Sequence, residues 1–253
     1  MRWDAAQEAL IQIVTKLDRF AGHSGFTTWA YRVATNKFLS IARVRGDDVL
    51  DVDWLKDELA RLPPVGVAPP GEIDEDLLAE EIKIGCTLGM LLILEPGHRM
   101  AYVLGEIMGL DHATAASILD IAPATYRKRL QRSRGQIRNL MRSRCGLYDP
   151  RNTCRCPNWI PTAIEAGRLN PHQLAYGASH ETARRFPGLL AQLRNLEEAE
   201  RAGALYRSHP EVTIKADLAS FIDRLSTTWP RPAHQGPRDH SGHTLRSTLG
   251  SGE

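Results

Sequence analysis

The sequence predicts an all-α protein, and three observations carry that expectation. Apolar residues recur at helical spacing in residues 4–45 and again in residues 73–144. Nothing in the second stretch alternates with the period of a strand. Residues 110–134 carry the cap and turn chemistry of two helices meeting at a tight corner.

Residues 4–45 read as two helices around a short turn at 21–25. Leu10, Ile13, Val14 and Leu17 give the first helix its apolar stripe, and Trp29, Val33 and Phe38 populate the second. Trp29 and Phe38 are expected to pack inward, and Asn36 and Lys37 to face outward.

The composition then changes. Between residues 46 and 81 twelve carboxylates, from Asp47 to Glu81, face only Lys56 and Arg61, and Pro63, Pro64, Pro69 and Pro70 accumulate. Such a stretch favours an extended, solvated chain, so residues 46–72 are expected to be an acidic, Pro-rich flexible linker between two domains.

Helical periodicity resumes over 73–144, with breaks at Pro96, Gly109 and residues 120–123. Within it, LDHATAASILDIAPATYRKRLQRSR (residues 110–134) divides into a short helix capped by Asp111, a tight turn at 120–122, and a second helix with Pro123 in its first turn. These are helix-turn-helix proportions, with Ala116, Leu119, Ile121 and Leu130 as the apolar contacts fixing the angle.

The whole chain of 253 residues carries a formal charge of only +2, but the charge is segregated. From residue 122 to 144 every ionised side chain is basic: Arg127, Lys128, Arg129, Arg132, Arg134, Arg138, Arg142 and Arg144. A one-signed run behind a capped turn is a phosphate-seeking surface, although an isolated basic run is often only a solvated face. Thr125, Tyr126, Arg127, Lys128, Arg129, Arg132 and Arg134 are the candidates to enter a DNA major groove.

After Cys145 comes a Cys- and Pro-containing loop to residue 161, then helical stretches near 162–166, 181–206 and 216–225, then a Pro-, Gly-, Ser- and His-rich tail at 229–253 expected to be disordered. Leu189, Leu190, Leu193, Leu196 and Leu205 form an apolar face that would fold back on the other domains or bind another protein. Residues 145–228 are thus expected to be a regulatory extension.

No cofactor is firmly expected. Cys145, Cys154 and Cys156, with His172 further on, are weak candidates for zinc, because C-x8-C-x-C is not a usual zinc spacing. The competing reading is reduced or redox-sensing thiols activated by Arg144, Arg151 and Arg155. Four cysteines are too few for a secreted disulfide scaffold, no apolar run reaches membrane-span length, and no signal-peptide pattern opens the chain, so a cytoplasmic protein is expected. An enzyme is disfavoured, since no phosphate loop, nucleophile elbow or paired His-Glu metal motif is present.

Two stretches resemble one family. Residues 94–138 resemble the fourth conserved region of bacterial sigma factors of the extracytoplasmic-function group, in the sigma-70 family. Residues 4–45 are similar to its second region, with Phe26, Thr28, Trp29, Tyr31, Arg32, Ala34 and Asn36 in the F-x-TW-x-YR-x-A-x-N pattern. The resemblance implies a region 2-like domain (residues 1–45) that binds core RNA polymerase and the promoter −10 element, and a region 4-like helix-turn-helix domain (73–144) that binds the −35 element. It implies core polymerase contact through Gln7, Glu8, Ile11 and Gln12, and −10 contact through Phe26, Trp29, Tyr31, Arg32, Asn36 and Lys37. Aromatic stacking and cationic contacts suit single-stranded DNA there. An anti-sigma partner is a further possibility, and no membrane insertion is expected.

The pattern departs in three places. The chain opens almost at Asp4, where the family has a preceding helix; Thr114 and Ala115 stand where it shows Glu-Ile; and the C-terminal extension is additional. Two other readings remain open on sequence: a polymerase-independent helix-turn-helix regulator, and a sigma-like interaction protein without initiation activity.

Overall fold

The computed structural model describes residues 5–45, 49–60, 74–176 and 179–210. The expected helix at 216–225, the tail at 229–253 and the Pro-rich part of the linker lie outside the described residues. Among the described residues there is no strand; Cys145 and Cys154 form an isolated parallel bridge. No helix there is long and apolar enough to cross a membrane.

The first hairpin is α1 (Ala5–Thr15) and α2 (Phe26–Arg45), joined through a 3-10 turn at Leu17–Arg19. Small residues line its seam, with Ala5, Ala9, Thr35 and Ala42 buried, so the backbones approach closely. At the turn, Phe20 and Trp29 stand 5.5 Å apart and Phe26 and Trp29 5.8 Å apart, a small aromatic cluster that fixes the entry of α2. Of the expected stripe Ile13 is half-buried, whereas Leu10, Val14 and Leu17 face outward at 48 %, 70 % and 51 % exposure.

The acidic stretch is not wholly a flexible linker. Helix α3 (Val52–Ala60) forms within it, Leu55 is buried in the main core, and Leu50 N donates to Leu92 O at 2.9 Å. Proline and acid content describe the neighbouring chain well, but Leu50, Trp54 and Leu55 supply enough apolar surface to dock this segment.

Helix α4 (Glu75–Met90) starts at Asp74, whose side chain accepts from the N–H groups of Asp76 and Leu77. Helix α5 (Pro96–Tyr102) runs into a π-turn at Val103–Ile107, then α6 (His112–Ile118) and α7 (Pro123–Arg144) follow. Helix α7 has 22 residues and is about 33 Å long, so it serves two cores. Its first half supplies Tyr126 and Leu130 to a core shared with α5 and α6, and its second half supplies Ile137, Leu140 and Met141 to the main core.

The extension folds back, as one of the two expectations had it. A 3-10 turn at Cys156–Trp159 leads into α8 (Ile160–Glu165), then α9 (His180–Asn195) and α10 (Glu198–Arg207). The single stretch expected over 181–206 is thus two helices, divided at Leu196. Ile160, Leu193, Leu205 and Tyr206 lie in one core with Leu78, Leu94 and Leu140. Tyr206 donates to Thr87 O at 2.8 Å, and His209 meets the Thr87 hydroxyl at 2.8 Å. The same contact surrounds an ion pair, Lys83 with Glu80 at 2.7 Å, both 1 % exposed.

Candidate nucleic-acid interface

The helix-turn-helix is built by local chemistry. Asp111 Oδ1 accepts from the N–H of Ala113 at 2.9 Å and of Thr114 at 3.0 Å, and Oδ2 accepts from the Thr114 hydroxyl at 2.6 Å. Thr114 thus joins the cap through both its backbone N–H and its hydroxyl. The Thr114 hydroxyl, then the backbone N–H bonds, hold the Asp111 carboxyl below the usual carboxylate range.

The turn passes through Asp120 at φ 53, a left-handed residue where aspartate is tolerated. Ile121 N donates to Ala116 O at 3.1 Å, and Pro123 opens α7, where no N–H is required. Ala116, Leu119 and Leu130 are buried and Ile121 packs against them, as the sequence suggested.

This geometry divides the basic residues by face. Thr125, Arg127, Lys128 and Arg132 are exposed, and among the described residues the three cations pair with no carboxylate. Arg129 is half-buried and leans over Gly97, where a Cβ would lie 3.1 Å from its Nη1.

Tyr126 is a correction to the expected DNA-reading set. It is fully buried and donates to Ala101 O at 3.3 Å, and a Cβ on Gly105 would strike its hydroxyl. It sets the spacing between α7 and the π-turn and presents nothing to a groove. Arg134 is half-exposed and committed to Glu106 through its Nε. That ion pair and Arg207 line one side of a cavity of about 450 Å³ against α10.

On the hairpin, Phe26 and Tyr31 are 49 % and 37 % exposed, Asn36 is exposed, and Trp29 and Phe38 are half-buried. Lys37 is half-buried and pairs with Glu8 at 2.5 Å, so a residue expected to face DNA and one expected to face polymerase hold each other. Gln7 and Ile11 are exposed, while Gln12 accepts from Lys16. Arg32 is half-buried and donates to the Ser117 hydroxyl on α6 at 2.7 Å, and Leu39 packs against the helix-turn-helix core. The outward chemistry of α2 and of α7 is therefore carried on two helical units in direct contact.

The cysteines are arranged otherwise than expected. His172 is exposed, whereas Cys86 of α4 joins Cys145 and Cys156 in the main core. The thiols are not activated: burial pushes Cys145 up to about 11, Cys86 and Cys156 go well above their ordinary value, and Cys154 is raised. Arginines nearby do not outweigh desolvation, which removes the basis for a reactive, low-pKa thiol. Among the described residues no group of three metal-ligating side chains is set for an ion.

Residues 3–46 match the family model of Sigma-70 region 2. The chain is 33 % identical over 138 residues to the ECF RNA polymerase sigma-E factor of Escherichia coli (strain K12), covering 54 % of this chain and 71 % of that protein. The same figures relate it to the sigma-E factor of Salmonella typhimurium (strain LT2). It is 27 % identical over 139 residues to the ECF RNA polymerase sigma factor SigE of Mycolicibacterium smegmatis, covering 51 % of that protein. No solved structure matches the chain significantly. With the matched hairpin at one end, a capped helix-turn-helix behind it and the two sigma-E factors, 33 % identical, covered over 71 % of their length, this chain belongs to the extracytoplasmic-function group of RNA polymerase sigma factors.

Proposed function

We propose that this sigma factor directs core RNA polymerase to its promoters through two readers carried on adjoining helical units. Residues 5–45 engage polymerase and the opened −10 element, and residues 74–144 engage the −35 duplex. The observation that carries this reading is the exposed trio Arg127, Lys128 and Arg132, unpaired among the described residues, on the outer face of a helix whose inner face, Tyr126 and Leu130, is locked in the core. A rigid helix with cations on one face can place some on base edges and others on phosphates.

In the hairpin, Phe26, Tyr31 and Asn36 are the side chains available to unpaired bases, and Gln7 and Ile11 those available to polymerase. Lys37 becomes available only by releasing Glu8. The chain contributes binding and no bond-making chemistry of its own, and acts in the cytoplasm, where polymerase and DNA are. Residues 145–210 act as a structural and regulatory extension of the −35 reader.

The test is run-off transcription with core polymerase and a genomic promoter library, followed by sequencing of the RNA starts. Polymerase-dependent starts that share two upstream elements are the expected result. DNA binding without such starts would overturn the initiation role and favour a polymerase-independent regulator.

A further inference from the structure

We propose that the cavity of about 450 Å³ between α7 and α10 binds a small phosphomonoester, a molecule with one phosphate group on a partly apolar body. Its occupation tightens the hold of the extension on the promoter-reading helix. Such binding requires neither polymerase nor DNA.

The first observation is a surplus of cations. Arg134 and Arg138 of α7 and Arg207 of α10 line the cavity with Glu106, whose side chain is 12 % exposed. Arg134 and Arg207 share that one carboxylate. Arg134 donates from Nε to Oε2, while Arg207 Nη1 donates to the Glu106 backbone carbonyl at 2.7 Å and stands 3.8 Å from Oε1. Among the described residues the Nη groups of Arg134 and Nη2 of Arg207 make no hydrogen bond, and Arg138, which is exposed, makes neither a hydrogen bond nor an ion pair. Glu200, the other carboxylate on the lining, is exposed to water and offsets these charges less.

The second observation is an unused hydroxyl. Tyr102 lines the same cavity, is 1 % exposed, and packs edge-on against Tyr206 with ring centroids 5.5 Å apart. Among the described residues its hydroxyl has no hydrogen-bond partner, yet it is not one of the polar atoms sealed from solvent, so it opens on the cavity. Burial pushes its pKa up, which keeps the proton in place for donation. A hydroxyl withdrawn from bulk water costs free energy until it finds a partner. The wall from α10 is made of small residues: at Gly203 a Cβ would run into the Glu106 carboxylate and lie 2.9 Å from Arg207 Nη1, and Ala199 and Ala202 line the cavity beside it.

The chemistry selects the ligand. Guanidinium forks match phosphate oxygens with paired N–H bonds. A phosphomonoester carries about −1.5 to −2 charges at neutral pH, which balances three guanidiniums set against one enclosed carboxylate better than the single charge of a carboxylic acid does. Leu196 and Ala199 offer apolar surface to the body of the molecule, and the volume falls in the roughly 300–1,000 Å³ range of small-molecule sites. Because Arg138 comes from α7 and Arg207 from α10, one phosphate held by both ties the extension to the promoter reader.

The experiment titrates the full chain with phenyl phosphate by isothermal titration calorimetry, with inorganic phosphate and benzoate as comparison probes. One phenyl phosphate per chain with Kd below about 1 mM is expected, at least ~10-fold tighter than inorganic phosphate, which lacks the apolar body, or benzoate, which lacks the second charge. Amide exchange in α10 should slow as the site fills. Arg138→Ala removes no hydrogen bond or ion pair among the described residues, and circular dichroism establishes that the variant is folded. It should weaken binding by at least ~10-fold, Arg138→Lys by less, and Arg151→Ala, at an exposed arginine outside the lining, should leave binding unchanged. A Kd for phenyl phosphate above about 1 mM, or unchanged affinity in folded Arg138→Ala, would each overturn the site. Displacement of phenyl phosphate by duplex DNA would overturn it as well, giving these arginines to the DNA backbone.

Discussion

Arg32 donates from Nη2 to the Ser117 hydroxyl at 2.7 Å, bridging 85 positions of chain. The bond joins the aromatic and basic helix of the hairpin to the first helix of the helix-turn-helix. The Arg32 Nε beside it is buried with no partner among the described residues. A buried, half-satisfied guanidinium regains hydration when it leaves, so opening this contact costs little.

Ser117→Ala should therefore loosen the two units without touching an outward-facing side chain. The expected loss is about 1 kcal/mol of contact free energy, seen as faster amide exchange along α2, with promoter-dependent transcription kept or raised. Arg32→Ala should loosen the contact equally and also lower transcription, because it removes a candidate DNA contact. Equal transcription in both variants would remove Arg32 from the DNA-reading set.

On α7 the two faces predict opposite phenotypes. Arg127→Ala and Lys128→Ala should leave stability unchanged within about 0.5 kcal/mol and weaken −35 duplex binding; a base-reading cation should cost about 1–3 kcal/mol and relax specificity, a phosphate-binding one should flatten the salt dependence. Tyr126→Ala should cost about 3–5 kcal/mol in folding stability. Fluorescence anisotropy across a salt series and thermal unfolding distinguish these.

How much of this was legible in sequence depends on the range of the interaction. Asp111, Asp120 and Pro123 act on their own neighbours, so the helix-turn-helix was readable residue by residue. The inward face of α7 was also readable: Tyr126, Leu130, Ile137 and Leu140 are spaced for one side of a helix, and placing Tyr126 with its basic neighbours ignored that period. Cys86 meeting Cys145, or Lys37 meeting Glu8, depends on how separate helices pack, and no local signal records it. Helix α3 was hidden because composition was averaged over an acidic, Pro-rich window that contains one short amphipathic segment.

The buried pair Lys83–Glu80 should behave asymmetrically. Lys83→Ala strands a carboxylate whose pKa burial already raises, and should cost about 3–5 kcal/mol. Replacing both residues by apolar ones of similar size should cost far less. Chemical denaturation of the single and double variants reads the difference.

Acidification should release the end of the extension. Burial, with a smaller push from Lys83, holds His209 down to about 3 against an ordinary value of 6.5. Its folded pKa lies below its unfolded one, so its contribution to docking is present above pH 6.5 and is lost as pH falls from there toward 3. Limited proteolysis after α10 should speed up between pH 7 and pH 5 in the parent chain, and His209→Gln should flatten that dependence (roughly, on the scale of one titrating imidazole). A pH-independent cleavage rate in the parent would exclude His209 as the cause.

Because Tyr206, Leu205 and Leu193 share one core with Leu78 and Leu140, the end of α7 at Arg144 is not a seam in folding. A stop codon there would uncover Lys83 and the apolar face of α4 together. The added helices are the second half of one core, so the promoter reader and residues 145–210 should melt as a single cooperative unit.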